Sequence, residues 1–299
     1  MNALTLPKLK NPDHAFVQGR LGPCGFDACL QLSWSDTETG AFNPEQREAF
    51  YQFLAANKTR EKVIRLPAKN PLDRSKWHQE VIFDRYLLSE SAGYPITVCF
   101  ANEIGKEGAG ARPLPPDVSS LAPKGTISPL LLEYWAFRLA ANDWSGVKIV
   151  GCSFQNTDKD HGTELGSFMA SPHGRYIYER SDMIGMNQYG NRYKAGETIN
   201  AYAKRFMDEK ITRKRGYFDK YGLTKPMLVT EYGIKEGQEK ATDGEPANPM
   251  RLADLRESLV RLDFGPKCYF KSVAEGTGSE VGYGLYKNQV PVGREISNG

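Results

Sequence analysis

"KPMLVTEYG", residues 225–233, decides the fold. After its proline come four apolar or β-favouring residues, and the run then ends on Glu231, an aromatic and a glycine. A short apolar run bounded by turn residues reads as a strand buried on both faces. Strands of that kind belong to parallel sheets covered by helices.

The rest of the chain repeats the pattern. Strands are predicted at 26–34, 62–67, 96–105, 147–154, 183–190, 227–233 and 280–287. Amphipathic helices are predicted at 43–57, 75–91, 128–143, 198–222 and 248–265, with Asn43, Ser75, Ser128 and Asn248 as N-caps. Pro44, Pro129 and Pro249 follow three of those caps, at the first helical position where proline is tolerated. Alternating β and α elements imply helices packed over a parallel sheet.

A doubly wound nucleotide-binding sheet needs a glycine fingerprint after its first strand, and none occurs. A (β/α)8 TIM barrel over residues 1–299, as one domain, fits better. Its first strand is predicted at "HAFVQGRL" (14–21). Too few residues separate that run from residue 26 to hold a helix, so the first β/α unit is expected to be abbreviated. Long Gly- and Pro-rich loops at 105–127 and 155–170 follow strand ends. In this architecture the site is built from such loops.

The bulk numbers exclude other classes. Net charge is only +3 over 299 residues, and no dense Lys/Arg block occurs, so nucleic acid is not expected as a partner. No apolar run is long enough for a membrane span. The start of the chain lacks the apolar core of a signal peptide, which makes cytoplasmic the default location, with extracellular the alternative if the natural chain starts earlier. The cysteines at 24, 29, 99, 152 and 268 and the histidines at 14, 78, 161 and 173 lack metal-ligand spacing. Free buried thiols are expected, with no metal and no cofactor. No G-x-S-x-G or Ser/His/Asp arrangement supports a nucleophilic serine.

The chemistry sits at strand ends. "ITVCFANE" places Glu103 after the fourth strand, and "MLVTE" places Glu231 at the end of the seventh. Two carboxyls facing one cavity from the same end of a barrel suit glycoside hydrolysis, one as acid and one as anion. Trp34, at the end of the second strand, offers an aromatic face for a sugar ring.

Asn102–Glu103, then "IGMNQYG", "KPMLVTEYG" and "EVGYGLYK" in that order, resemble the retaining glycoside hydrolases of clan A. The specificity lies in the order and spacing, since each short motif alone is common. The resemblance implies Glu103 as acid/base and Glu231 as nucleophile. It implies Asn102 on the sugar 2-hydroxyl and Tyr189 as hydrogen-bond partner of the nucleophile. Asn187 stands where many members carry histidine, and Tyr283 is the nearest substitute for their eighth-strand tryptophan. Tyr232, beside Glu231, joins the substrate-binding set. The usual second-strand arginine is missing, with Arg65 on the third strand as a stand-in. The implied activity is retaining hydrolysis of a β-linked oligo- or polysaccharide, with carbohydrate as the partner. The competing reading is a non-catalytic barrel that binds carbohydrate or serves in a larger assembly.

Overall fold

The computed structural model describes residues 1–7, 11, 13–21, 26–32, 44–68, 70–102, 104, 126–154, 161–270 and 282–296. Eight strands follow one another in chain order as a closed barrel. They are β1 (Asn2–Leu6), β2 (Asp27–Gln31), β3 (Lys62–Arg65), β4 (Ile96–Cys99), β5 (Lys148–Phe154), β6 (Met183–Tyr189), β7 (Met227–Gly233) and β8 (Lys267–Tyr269). The helices between them are α1 (His14–Leu21), α2 (Pro44–Ala56), α3 (Trp77–Glu90), α4 (Pro129–Ala140), α5 (His161–Ala170), α6 (Pro172–Arg180), α7 (Ile199–Phe206), α8 (Arg213–Lys220) and α9 (Pro249–Arg261).

The barrel expectation holds, and two of its details change. The stretch expected as the first strand is α1. Val17 and Leu21 lie four residues apart and are both fully buried, which is helical spacing. Asn11 starts the turn into this helix, with its side chain accepting from the Asp13 amide at 2.8 Å. Strand β1 comes earlier, in "NALTL", and runs parallel to β8 with Leu4 opposite Tyr269. The first β/α unit is therefore present. At the other end, β8 is "KCY", three residues after a Gly265–Pro266 turn, and the expected strand at 280–287 is not part of the barrel. Its last two residues form β9 (Tyr286–Lys287), which pairs with β10 (Val290–Pro291) in a separate hairpin. The aromatic alternation of that stretch reflects the hairpin and its packing. Asn288 and Gln289 take φ of 50° and 61°, the left-handed backbone that a two-residue hairpin loop needs.

The structure has more helix after β5 than the sequence pattern predicts. Residues 161–170, expected as loop, form α5, and α6 follows with Ser171 as its N-cap. The single long helix expected over 198–222 is interrupted by a π-helical turn at Met207–Thr212. Asn248 caps α9 as expected, accepting from the Arg251 amide at 2.9 Å. The cap near residue 75 is instead Asp73, which accepts from the Ser75 amide. Ser128 stands at the N-cap position of α4 without a side-chain cap bond.

The chain divides into two compact units. The first holds residues 1–29, 188–216 and 229–299. In it β1, β8 and the second half of β7 pair, and α7 packs against α9. The second holds residues 30–187 and 217–228, with β3, β4, β5 and most of β6 in register. Its polar centre is Arg138 of α4, fully buried over the Trp135 ring. The Arg138 guanidinium donates to Asp84 of α3 (Nε at 2.8 Å) and to the Pro67 carbonyl at 2.6 Å. Burial pushes the Asp84 carboxyl up to about 6, against the pull of Arg138. Cys29, Cys99, Cys152 and Cys268 are free and buried, as expected for small apolar side chains.

Three helix ends are bonded by lysines at or near the start of a later strand. Lys62, the first residue of β3, donates to the carbonyls of Asn57 and Arg60 after α2, each at 2.6 Å. Lys225, two residues before β7, donates to Tyr178 at 2.7 Å and Glu179 at 2.9 Å in α6. Lys267, the first residue of β8, donates to Val260 of α9 at 2.7 Å and to Leu262. The last carbonyls of a helix lack internal partners and carry partial negative charge, so a lysine there satisfies both needs.

Candidate active site

In the first unit, β6 and β7 end side by side, with the Gly190 amide bonded to the Gly233 carbonyl at 2.8 Å. That pairing brings Tyr189 to Glu231, and the Tyr189 hydroxyl donates to Glu231 Oε2. Glu231 is 5% exposed, so this donor acts where water screens little. Two rings pack against that of Tyr189. The Tyr283 ring lies 5.0 Å from that of Tyr189, Phe270 lies 5.9 Å from it, and Phe270 and Tyr283 are 5.7 Å apart. Burial, then the neighbouring Tyr269 and Glu231, push the Tyr283 phenol up to about 12. It is a neutral donor at physiological pH.

Gly233 makes this closure possible. A Cβ there would lie 2.7 Å from the Phe270 carbonyl and 3.5 Å from Tyr283 Cδ1. The "TEYG" motif thus supplies the carboxylate and, two residues on, the space its aromatic neighbours occupy.

Tyr232 is not brought to this cluster. It is fully buried, and its hydroxyl donates to Asn2 Oδ1 at 3.0 Å. Its ring packs edge-on to Tyr269 and Phe264. The substrate contact expected of Tyr232 is replaced by packing between β7, β8 and the start of β1, because a ring with no exposed surface cannot stack on a sugar.

In the second unit, the chain leaving β4 is anchored on Ser153 of β5. The Ser153 amide donates to the Ala101 carbonyl at 2.7 Å, and the Ile104 amide donates to the Ser153 carbonyl at 3.1 Å. Asn102, half-buried, sits between those two bonds. The Ser153 hydroxyl also donates to Asn187 Oδ1 at 3.2 Å, and both side chains are buried. Ser153 thus bonds Asn187 directly and the backbone on either side of Asn102. Arg65 is buried on β3. Glu103 and Trp34 lie outside the described residues, as do 105–125 and 155–160 of the long loops.

Sequence reasoning missed Ser153, Phe270 and Arg256, the last a buried residue of α9 that bonds the chain beyond β7. Phe270 was detectable in principle, since "KCYF" is an apolar run after a Gly–Pro turn. Ser153 and Arg256 act through backbone groups of distant segments, which no local pattern records. Among the described residues, no group of three or more His, Cys, Asp or Glu gathers as a metal site, and no helix is long and apolar enough to cross a membrane.

No family model and no curated protein matches the sequence. Solved structures do resemble it. GH5_18 from Streptomyces cattleya, in complex with GlcNAc, aligns with a TM-score of 0.60 at 12% identity, covering 98% of this chain and 77% of that one. A structure from a study of two fungal β-1,4-galactanases aligns at 0.57 and 13% identity, covering 99% and 92%. A GH128 subgroup II endo-β-1,3-glucanase from Sorangium cellulosum aligns at 0.54 and 13% identity, covering 97% and 94%. At these identities the likeness shows a shared (β/α)8 fold.

Proposed function

We propose that residues 1–299 form one catalytic barrel that hydrolyses a β-linked oligo- or polysaccharide with retention of configuration. The hydrogen bond from Tyr189 to Glu231 carries this reading. A phenol donating to a strand-end carboxylate favours the anionic form over the neutral one and orients it. The similarity in fold to an endo-β-1,3-glucanase and to β-1,4-galactanases supports the same class of reaction.

In the proposed mechanism Glu231 attacks the anomeric carbon while Glu103 gives its proton to the departing oxygen. The glycosyl–Glu231 ester forms as the glycosidic bond breaks. Glu103, now a carboxylate, takes a proton from water, and the hydroxide attacks the same carbon and releases Glu231. Asn102 holds the 2-hydroxyl, Asn187 joins the substrate-binding set, and Trp34 and Tyr283 offer aromatic surfaces. No cofactor enters the reaction. The two carboxyl groups of a retaining pair stand about 5–5.5 Å apart.

The test is turnover of a panel of activated aryl β-glycosides by the wild type and by Glu231→Ala. The substitution is expected to lower kcat on the order of ten-thousand-fold while the folded-state circular dichroism is kept. Undiminished turnover by the variant removes Glu231 as nucleophile.

A further inference from the structure

Arg256 is a buried cation that the reaction as described does not use. It lies on α9 and is 1% exposed, yet among the described residues no carboxylate pairs with it. Removing a guanidinium from water without a counter-ion costs several kcal/mol, so a leucine or methionine would pack there more cheaply. What the arginine supplies is a fork. Its Nε donates to the Ile234 carbonyl at 3.4 Å and its Nη2 to the Gly282 carbonyl at 3.0 Å. Ile234 is the residue after β7, three beyond Glu231, and Gly282 directly precedes Tyr283.

The two segments it grips are also joined to each other. The Gly282 carbonyl accepts a second bond, from the Glu236 amide at 2.8 Å. Gly282 is wedged there, since a Cβ would meet Lys235 Cγ at 2.8 Å. Tyr283 is thereby delivered against Tyr189, whose hydroxyl is on Glu231. The chain of contacts is continuous and lies within the first unit: Arg256, Gly282, Tyr283, Tyr189, Glu231.

We propose that Arg256 is a positioning residue, whose guanidinium fixes the Tyr283 segment to the exit of β7 and so orients Tyr189 on Glu231. It touches neither substrate nor reacting atoms. This role rests on the hydrolase reading for its effect on turnover, whereas the clamp itself does not.

The test compares wild type, Arg256→Met and Arg256→Lys in the full chain. Methionine keeps the length without donors; lysine keeps the charge but reaches only one carbonyl. Hydrogen exchange by mass spectrometry reads amides 233–238 and 282–287 against 183–188 as control. Steady-state kinetics on an accepted aryl glycoside read kcat and KM separately. In Arg256→Met, exchange is expected to rise at least tenfold in both segments and to stay unchanged in the control. kcat is expected to fall at least tenfold with KM within threefold, and Arg256→Lys to lie between. Unchanged exchange in the two segments overturns the proposal. So does a rise spread evenly over the chain, which marks an ordinary core residue, and so does loosened exchange with undiminished kcat. If Arg256→Met does not fold, the same three readings are taken on Arg256→Lys. A wild type that cleaves no glycoside sinks the hydrolase reading instead, and the exchange arm alone then decides the clamp.

Discussion

Tyr189 is the residue on which the reading of this site turns. Its hydroxyl reaches Glu231, and Phe270 and Tyr283 hold its ring. A hydrogen bond to a charged group contributes about 1.5–3 kcal/mol, which is about 10- to 150-fold in rate if the bond matters most in the transition state. Tyr189→Phe is expected to lower kcat within that range and leave the thermal midpoint within a few degrees, because the ring packing is retained. Unaltered kcat would make the bond a packing detail. Glu231 stands out in the sequence because it follows the apolar run Met227–Val229, whereas Tyr189 follows Asn187 and Gln188 and is marked only by the resemblance in motif order. Tyr232 was misjudged for a related reason. Adjacency in sequence was taken for adjacency in space, yet its hydroxyl serves Asn2.

At the scale of the elements, Lys62 and Lys267 show how one strand residue stabilises the helix before it. Lys267 is the case with a pH signature. Burial beneath α9 pushes its ammonium down to about 8, below its ordinary value of 10.5. The native state therefore binds fewer protons than the unfolded chain between pH 8 and 10.5, and stability rises with pH across that window. Below about pH 8 both states carry the proton and the contribution is level. Urea unfolding of wild type and Lys267→Met between pH 7 and 10 is expected to show the difference moving in favour of the wild type above pH 8. A difference that is flat or shrinks would place the Lys267 ammonium in a wetter environment than the structure gives it.

The elements misread in the sequence share a physical cause. β8 is three residues long, too short for periodicity to register, and its partner β1 has only five. Their pairing is long-range, Leu4 with Tyr269, and contributes nothing to either local pattern. α1 carries a single buried pair, Val17 and Leu21, so its helical spacing was overlooked in favour of an apolar run. By contrast β5, β6 and β7 span seven residues each and were legible from the sequence, with ends displaced by at most one residue.

For the whole molecule, the succession of eight parallel strands in chain order places the ends of β6 and β7 together, and with them Tyr189 and Glu231. Ordinary folding rules then account for the scaffold: buried strands, capped helices, and lysines that end helices. What they do not account for is a buried glutamate held by a phenol whose own ring packs against Phe270 and Tyr283. The central claim is that this glutamate becomes covalently glycosylated. The most direct measurement is intact-mass and peptide mass spectrometry of the protein quenched during turnover of an activated, slowly released 2-fluoro glycoside. One glycosyl unit per chain, located on Glu231 in the peptide containing "PMLVTEYGI", is the predicted result. Turnover with no covalent adduct, or an adduct on another residue, would contradict it.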